Sequence, residues 1–315
     1  MNIRVLLAAV GVSALLAGCE ATSSGSEEDF PTRDIEMLVG HGPGGGTDVY
    51  ARTVADLLED ELGANINVVN MEGAGGATAK NEAAIRDGDG HSMIAVSAVA
   101  VTTALGNFNE GLDGLRPVAR MQSDVATIMA NPEQYDNFDE LVEAAEDGGV
   151  EIGGTGAGGN DEVIVELLAE ETGLDINYVA FEGAGDMHAA ALGGHIDAIF
   201  EEIGPTIDYV ESEELLPLIV LNEERLDDFE DVPTTVENDI DVTNGVERGI
   251  MVPRDTPTEI VTQIEDALQN VYETEEYQQH VEDQFLTYRE GWLGSDEYDE
   301  KLAEDIENYT EIVGQ

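Results

Sequence analysis

Short apolar runs alternate along this chain with longer stretches in which apolar residues recur every three or four positions. That is the pattern of strands followed by amphipathic helices. Ile35 to Val39 is the first run and reads as a buried strand. A glycine loop, Gly40 to Gly46, follows it, and Thr47-Asp48 opens a helix that ends near Leu62. The next cycle has a strand at Ala64 to Asn70, the turn Gly73-Ala-Gly-Gly76 and a helix through Ala83-Ala84. Asp87-Gly-Asp-Gly90 stops that helix, and Ser92 to Val101 reads as a further buried strand. Strands separated by helices predict a mostly parallel, doubly wound α/β sheet.

The same grammar restarts around Val125 to Ala130. Asn137-Phe-Asp-Glu140 is a capping signal, and Gly148 ends the helix it starts. Val150 to Ile152 is a strand leading into a second glycine loop, followed by a helix at Glu162 to Glu171. Strands at Ile176 to Phe181, Ile196 to Phe200 and Leu215 to Leu221 complete this part, with a short alanine-rich helix to Leu192 between the first two. The chain then returns with a strand at Gly249 to Val252 and a helix striped by Ile260, Ile264, Leu268 and Val271. A last helix begins at Ser295 and carries Tyr298, Leu302, Ile306, Tyr309 and Val313 on one face. The expected architecture is two α/β lobes joined by crossing strands. Residues 31–124 with 249–315 form lobe I, on which the C-terminal helices pack, and residues 125–248 form lobe II.

Each glycine loop joins a strand end to a helix start, where unpaired backbone N–H groups and the positive end of the helix dipole make a ready anion site. The two loops are expected to face each other and hold one small carboxylate. Both also match G-x-G-x-x-G, as Gly40/Gly42/Gly45 and Gly154/Gly156/Gly159, which raises an exported nucleotide-dependent oxidoreductase as an alternative. Pro43 inside the first loop counts against it, as does the lack of an acidic residue ending Val68-Val69-Asn70. No Gly-Lys-Ser/Thr or G-x-S-x-G occurs, and His41, His91, His188, His195 and His280 are scattered without metal-ligand spacing. No enzyme, cofactor or metal is expected.

Composition changes the picture in two ways. The chain carries 69 acidic against 12 basic residues, a formal net charge of -57, spread over every predicted helix. Nucleic acid is thereby excluded as a partner, since binding it requires a basic surface. The charge resembles halophile adaptation: at molar salt the Debye length is roughly 3 Å and self-repulsion is screened. The N-terminus adds an address. Arg4 and the apolar Val5 to Leu16 form a signal segment over residues 1–18, too short to span a bilayer. Leu16-Ala17-Gly18-Cys19 resembles a lipobox, which implies lipidation of Cys19, the only cysteine. Residues 19–30 read as the lipidated cysteine and a flexible, Ser- and Glu-rich tether.

Several motifs in order carry a family resemblance. They are Pro31-Thr-Arg-Asp-Ile-Glu-Met-Leu-Val, Pro43-Gly-Gly-Gly-Thr-Asp48, Gly73-Ala-Gly-Gly76 and Asp89-Gly90 in the first part. Gly154-Thr-Gly-Ala-Gly-Gly-Asn160, Phe181-Glu-Gly183 and Leu192-Gly-Gly-His-Ile-Asp-Ala-Ile-Phe200 continue it. Asp231-Val-Pro-Thr-Thr-Val-Glu237, Val252-Pro-Arg-Asp-Thr-Pro257 and the terminal Gly294-Ser-Asp-Glu-Tyr complete it. Together they resemble a substrate-binding protein of the tripartite tricarboxylate transporters, the TctC or Bug family. The resemblance implies a type II periplasmic-binding-protein-like fold whose lobes close on a small organic acid. It also implies delivery to an ion-gradient-driven pair of TctA- and TctB-like membrane permease subunits by a monomeric, extracytoplasmic protein, held here by its lipid anchor. Carried onto this chain, the ligand-binding candidates are His41, Gly44, Gly45, Gly46, Thr47, Asp48 and Ser97 in lobe I. In lobe II they are Thr155, Gly156, Ala157, Gly158, Gly159, Asn160 and Phe181.

The chain departs from the family at Gly40-His41, where Pro-Phe is frequent, at Met71-Glu72 for Arg-Pro, and at Glu182 for a lysine. Asp161 stands where small polar residues or histidine are common, and either caps its helix or marks a less charged or amine-bearing ligand. A sensor lobe that presents its ligand to a signalling receptor shares the fold and is the other reading.

Overall fold

The computed structural model describes residues 30–314; the signal segment, Cys19 and the tether to Asp29 lie outside the described residues. In chain order, β1 (Ile35–Val39), α1 (Gly46–Leu62), β2 (Ile66–Asn70), α2 (Ala77–Ala84) and β3 (Ser92–Val96) open the fold. Then come α3 (Val99–Ala104), α4 (Gly111–Gly114), β4 (Leu115–Asp124), β5 (Ala126–Ala130) and α5 (Phe138–Gly148). β6 (Val150–Thr155), α6 (Asn160–Thr172), β7 (Ile176–Phe181), α7 (Ala184–Leu192) and β8 (Ala198–Glu202) follow. α8 (Ile203–Glu211), β9 (Leu216–Val220) and β10 (Val246–Pro253) lead to α9 (Thr258–Glu273), α10 (Glu275–Asp283), β11 (Leu293–Gly294) and α11 (Ser295–Val313).

Two sheets form two lobes, in the orders β11-β4-β10-β3-β1-β2 and β7-β6-β8-β5-β9. Each is mixed, not mostly parallel as the strand–helix alternation predicts. In the first, β1 runs parallel to β2 and β3, but β10 is antiparallel to both β3 and β4. In the second, β6 is parallel to β7 and β8, and β5 is antiparallel to β8 and β9. β5 and β10 lie where the chain passes between lobes, a tertiary feature that local periodicity does not encode. β10 begins at Val246, earlier than the strand read from the sequence, and pairs Val246 with Asp124, so the two crossings lie side by side. Arg289 fastens them by donating to the carbonyls of Asp124, Thr243 and Leu221.

β1 is buried on both faces, which explains its unbroken apolar run. Met37 and Val39 join Tyr50, Val54 and Leu58 of α1 and Ile264, Leu268 and Val271 of α9 in one core. Leu38 points the other way, into a core with Ala79, Ala83, Phe108, Tyr298 and Leu302. The C-terminal helices thus pack on lobe I.

Two further strand readings differ from the sequence. Ser92 to Val101 is not one strand: β3 ends at Val96, Ala98 takes a left-handed conformation (φ 51°), and Val99 starts α3. A short apolar run buried all round has no period by which to tell strand from helix. β4 was not legible at all, because its buried positions include Arg120, Gln122, Ser123 and Asp124.

Candidate functional site

Lobe I supplies donors. Past β1 the chain packs Gly40 so closely on Gly76 that a Cβ would stand 2.6 Å from its Cα. The loop then reaches Gly45, an extended N-cap with no side-chain cap for α1. Asp48 and Val49 donate to the Gly45 carbonyl, while the amides of Gly46 and Thr47 have no hydrogen-bond partner among the described residues. They stand at the positive end of a 17-residue helix. Thr47 Oγ1 donates to Ser97 Oγ at 3.2 Å, and Ser97 Oγ lies 3.1 Å from His41 Nε2. Burial, helped by Lys80 and Arg248, lowers the His41 pKa to about 3, so its imidazole is neutral. Behind this wall the Lys80 ammonium is buried against Thr102 Oγ1 at 3.1 Å, and burial lowers its pKa to about 7.

Lobe II is different, because its own acids occupy the loop amides. Thr155 donates to Asp161 Oδ2 through both its amide (2.8 Å) and its hydroxyl (3.0 Å). The Gly158 amide donates to Glu162, and the Gly156 amide to the Phe181 carbonyl. Burial first, and then the Glu202 carboxylate, push the Asp161 pKa up to about 7.

The floor is made of charges from both lobes. The Arg248 guanidinium on β10 donates to Asp124, and at 2.8 Å to Glu202 Oε1 at the end of β8. Its Nε also reaches Thr47 Oγ1 at 3.3 Å. Glu201 pairs with His188 at 2.6 Å. These groups, the two loops and the start of α7 at Gly183-Ala184 line a narrow cleft between the lobes that is partly open to solvent.

The lobes are in contact above it. A Cβ on Gly75 would stand 2.5 Å from Gly159 Cα, and Asn107 Nδ2 donates to the Gly158 carbonyl at 3.3 Å. The glycine loops therefore do not meet loop to loop. Gly75, in the turn after β2, takes the place opposite Gly158-Gly159, while Gly42 of the first loop faces the Glu182 carbonyl.

Of the residues singled out in the sequence, His41, Gly45, Gly46, Thr47 and Ser97 line the cleft from lobe I, and Thr155 and Asn160 from lobe II. Gly44, Asp48, Gly156, Ala157, Gly158, Gly159 and Phe181 lie off its wall. Asp48 shapes the loop from behind by accepting from the Gly44 amide (2.9 Å), Arg52 Nε (2.9 Å) and Asn70 Nδ2 (2.8 Å). Burial raises its pKa, but those bonds outweigh it and hold the carboxyl below its ordinary value. Ala157 is exposed, and the Phe181 ring packs towards Gly153.

Sequence reasoning missed Arg248, Glu201 and Glu202. The acids end a strand parallel to its neighbour β6, where α/β folds place ligands, but carboxylates are too common in this chain to stand out. Arg248 could have been found as a rare cation inside an apolar strand. Among the described residues no cluster of His, Cys, Asp and Glu could hold a metal ion, and no helix is long and apolar enough to cross a membrane.

Comparisons with known proteins bear on the family and the fold. The family model described as the tripartite tricarboxylate transporter family receptor, TctC, matches residues 50–313. Protein BugT of Bordetella pertussis is 31% identical over 245 residues, 75% of this chain and 74% of BugT. A TctC solute binding protein from Polaromonas superposes with a TM-score of 0.67 at 28% identity, over 90% of this chain and 99% of that one. MatC from Rhodopseudomonas palustris, solved with bound malate, gives a TM-score of 0.80 at 23% identity, over 90% of this chain and all of MatC (100%). The fold is that of the two-lobed periplasmic binding proteins, and the chain belongs to the TctC family of tripartite tricarboxylate transporter receptors.

Proposed function

We propose that this protein captures a small organic carboxylate between its lobes and delivers it to a tripartite tricarboxylate-type transporter. The observation that carries the reading is the pair of amides at Gly46 and Thr47, without a partner among the described residues, at the wall of a cleft beside the Thr47 and Ser97 hydroxyls and the His41 imidazole. A helix N-terminus contributes about 0.3–1 kcal/mol to a bound anion, and more where partly buried. Charge-assisted amide bonds add about 1.5–3 kcal/mol each. These contacts act over a few ångströms inside the cleft and survive salt that screens the distant surface acids. The malate in MatC supports the same class of ligand.

Family and sequence support the rest of the reading. Cys19 carries the lipid anchor on the extracytoplasmic face, a TctA- and TctB-like permease pair receives the ligand, and the receptor works as a monomer that docks by its closed form. Binding and release require no cofactor and no bond-making step. A thermal-shift screen of mono-, di- and tricarboxylates in molar salt tests it. Carboxylates should raise the melting temperature in a dose-dependent way; stabilisation by neutral sugars alone, with every carboxylate inert, would sink it.

A further inference from the structure

The two walls of the cleft differ in sign. Lobe I offers amide and hydroxyl donors, whereas lobe II turns acceptors towards the same space. Asp161 uses Oδ2 for both bonds from Thr155, and its Oδ1 has no hydrogen-bond partner among the described residues. Glu202 is 6% exposed, gives Oε1 to Arg248, and has no partner for Oε2 among them. Asn160, 9% exposed, donates through Nδ2 to the Gly245 carbonyl at 3.4 Å and has no partner for Oδ1 among the described residues. All three residues line the cleft.

The cation on the floor does not balance them. Arg248 already faces two buried carboxylates, Asp124 and Glu202, so a ligand acid finds no unshared positive charge there. Lobe II does bring the first backbone groups of α7 to the cleft, at Gly183 and Ala184, but these leave Asp161 Oδ1 and Glu202 Oε2 without a donor among the described residues. Charges held in such an enclosure are poorly screened by salt, and a carboxylate oxygen there without a hydrogen-bond donor is costly. A ligand that was anionic throughout would add to that cost.

We propose that the ligand is a carboxylate that also bears a cationic amine, its acid on the Gly46 and Thr47 amides and its ammonium between Asp161 and Glu202. The proposal rests on the carboxylate reading above and narrows it. The amine supplies the donors that the lobe II oxygens lack, so the two walls select opposite ends of one zwitterion.

Matched pairs test this by titration calorimetry of the full-length protein at about pH 8 in molar salt: aspartate against succinate, glutamate against glutarate, and 4-aminobutyrate against butyrate. The aminated member of at least one pair should bind at least about tenfold tighter. Asp161→Asn, checked for folding by circular dichroism, should shrink that preference and raise the affinity for the amine-free partner. Amine-free acids binding as tightly as their partners, or more tightly, would overturn the zwitterion and leave the carboxylate reading standing. A preference unchanged in Asp161→Asn would overturn the role given to that residue. Failure of every carboxylate, aminated or not, would overturn both readings.

Discussion

The Arg248 guanidinium lies directly against the first residue of α1: a Cβ on Gly46 would stand 2.3 Å from its Nη2 and 2.9 Å from its Cζ. An arginine end usually swings aside, but this one is 4% exposed and held by both Asp124 and Glu202. Gly46→Ala should therefore overpack the cleft floor, a cost of about 1–3 kcal/mol that outweighs a helix-propensity gain of at most about 1 kcal/mol. Denaturant melts in molar salt should show the loss, with ligand affinity falling as well. A variant as stable as the parent would mean that Arg248 is free to move.

Closure should depend on Gly75. Its φ of +59° and its approach to Gly159 leave no room for a side chain. In Gly75→Ala the left-handed backbone costs about 1–2 kcal/mol, and the new Cβ meets backbone on the opposite lobe, which cannot give way without the lobes parting. The parent and variant should therefore differ in shape more than in secondary structure. Small-angle scattering with ligand present should find the variant more extended than the parent, with affinity reduced by at least about tenfold. Equal radii with equal affinities would refute the contact.

Much of this was legible in the sequence, for reasons that also mark its limits. β1, the first glycine loop and α1 follow from an apolar run, missing side chains and a 3.6-residue period, all local. The closure contact is not local: Gly75 and Gly159 meet only because two lobes adopt one relative position. Arg248, Glu201 and Glu202 escaped for a chemical reason. In a chain with 69 acidic residues a buried carboxylate looks like a surface one until its solvent exposure is known. The second loop was read correctly as a strand–glycine–helix turn, yet nothing in its spacing says that Asp161 and Glu162 fold back onto its amides.

Asp161 should give the stability a measurable pH dependence. Its folded pKa, about 7, lies above the ordinary 3.8, because burial and Glu202 disfavour the carboxylate. A raised folded value contributes stability that is fully present below the unfolded pKa and lost as pH rises through the folded one. The parent should therefore lose stability relative to Asp161→Asn between about pH 4 and pH 7. An Asn oxygen can still accept from Thr155, so the difference isolates the charge. His41 acts in the opposite sense, its depressed pKa of about 3 costing stability as pH falls below the ordinary 6.5, but it is common to both proteins and cancels. Melting temperatures of the two across that range should diverge; parallel curves would place the Asp161 titration outside it.

The surface charge predicts a salt requirement. With a net charge of -57 and few cations, exposed ion pairs such as Arg33–Asp89 and Arg225–Glu237 are too few to offset the repulsion among acids. Such pairs contribute about 0–1 kcal/mol each. At molar salt the screening length of roughly 3 Å is shorter than most carboxylate separations, and the repulsion is largely removed; at about 0.01 M it extends to roughly 30 Å, across a whole lobe. Dilution from molar to millimolar salt should accordingly unfold the protein or lower its melting temperature steeply, with sodium and potassium chloride acting alike because the effect is one of ionic strength. Circular dichroism during stepwise dialysis measures this directly. A spectrum and melting temperature unchanged down to millimolar salt would show that the core outweighs the surface repulsion by itself.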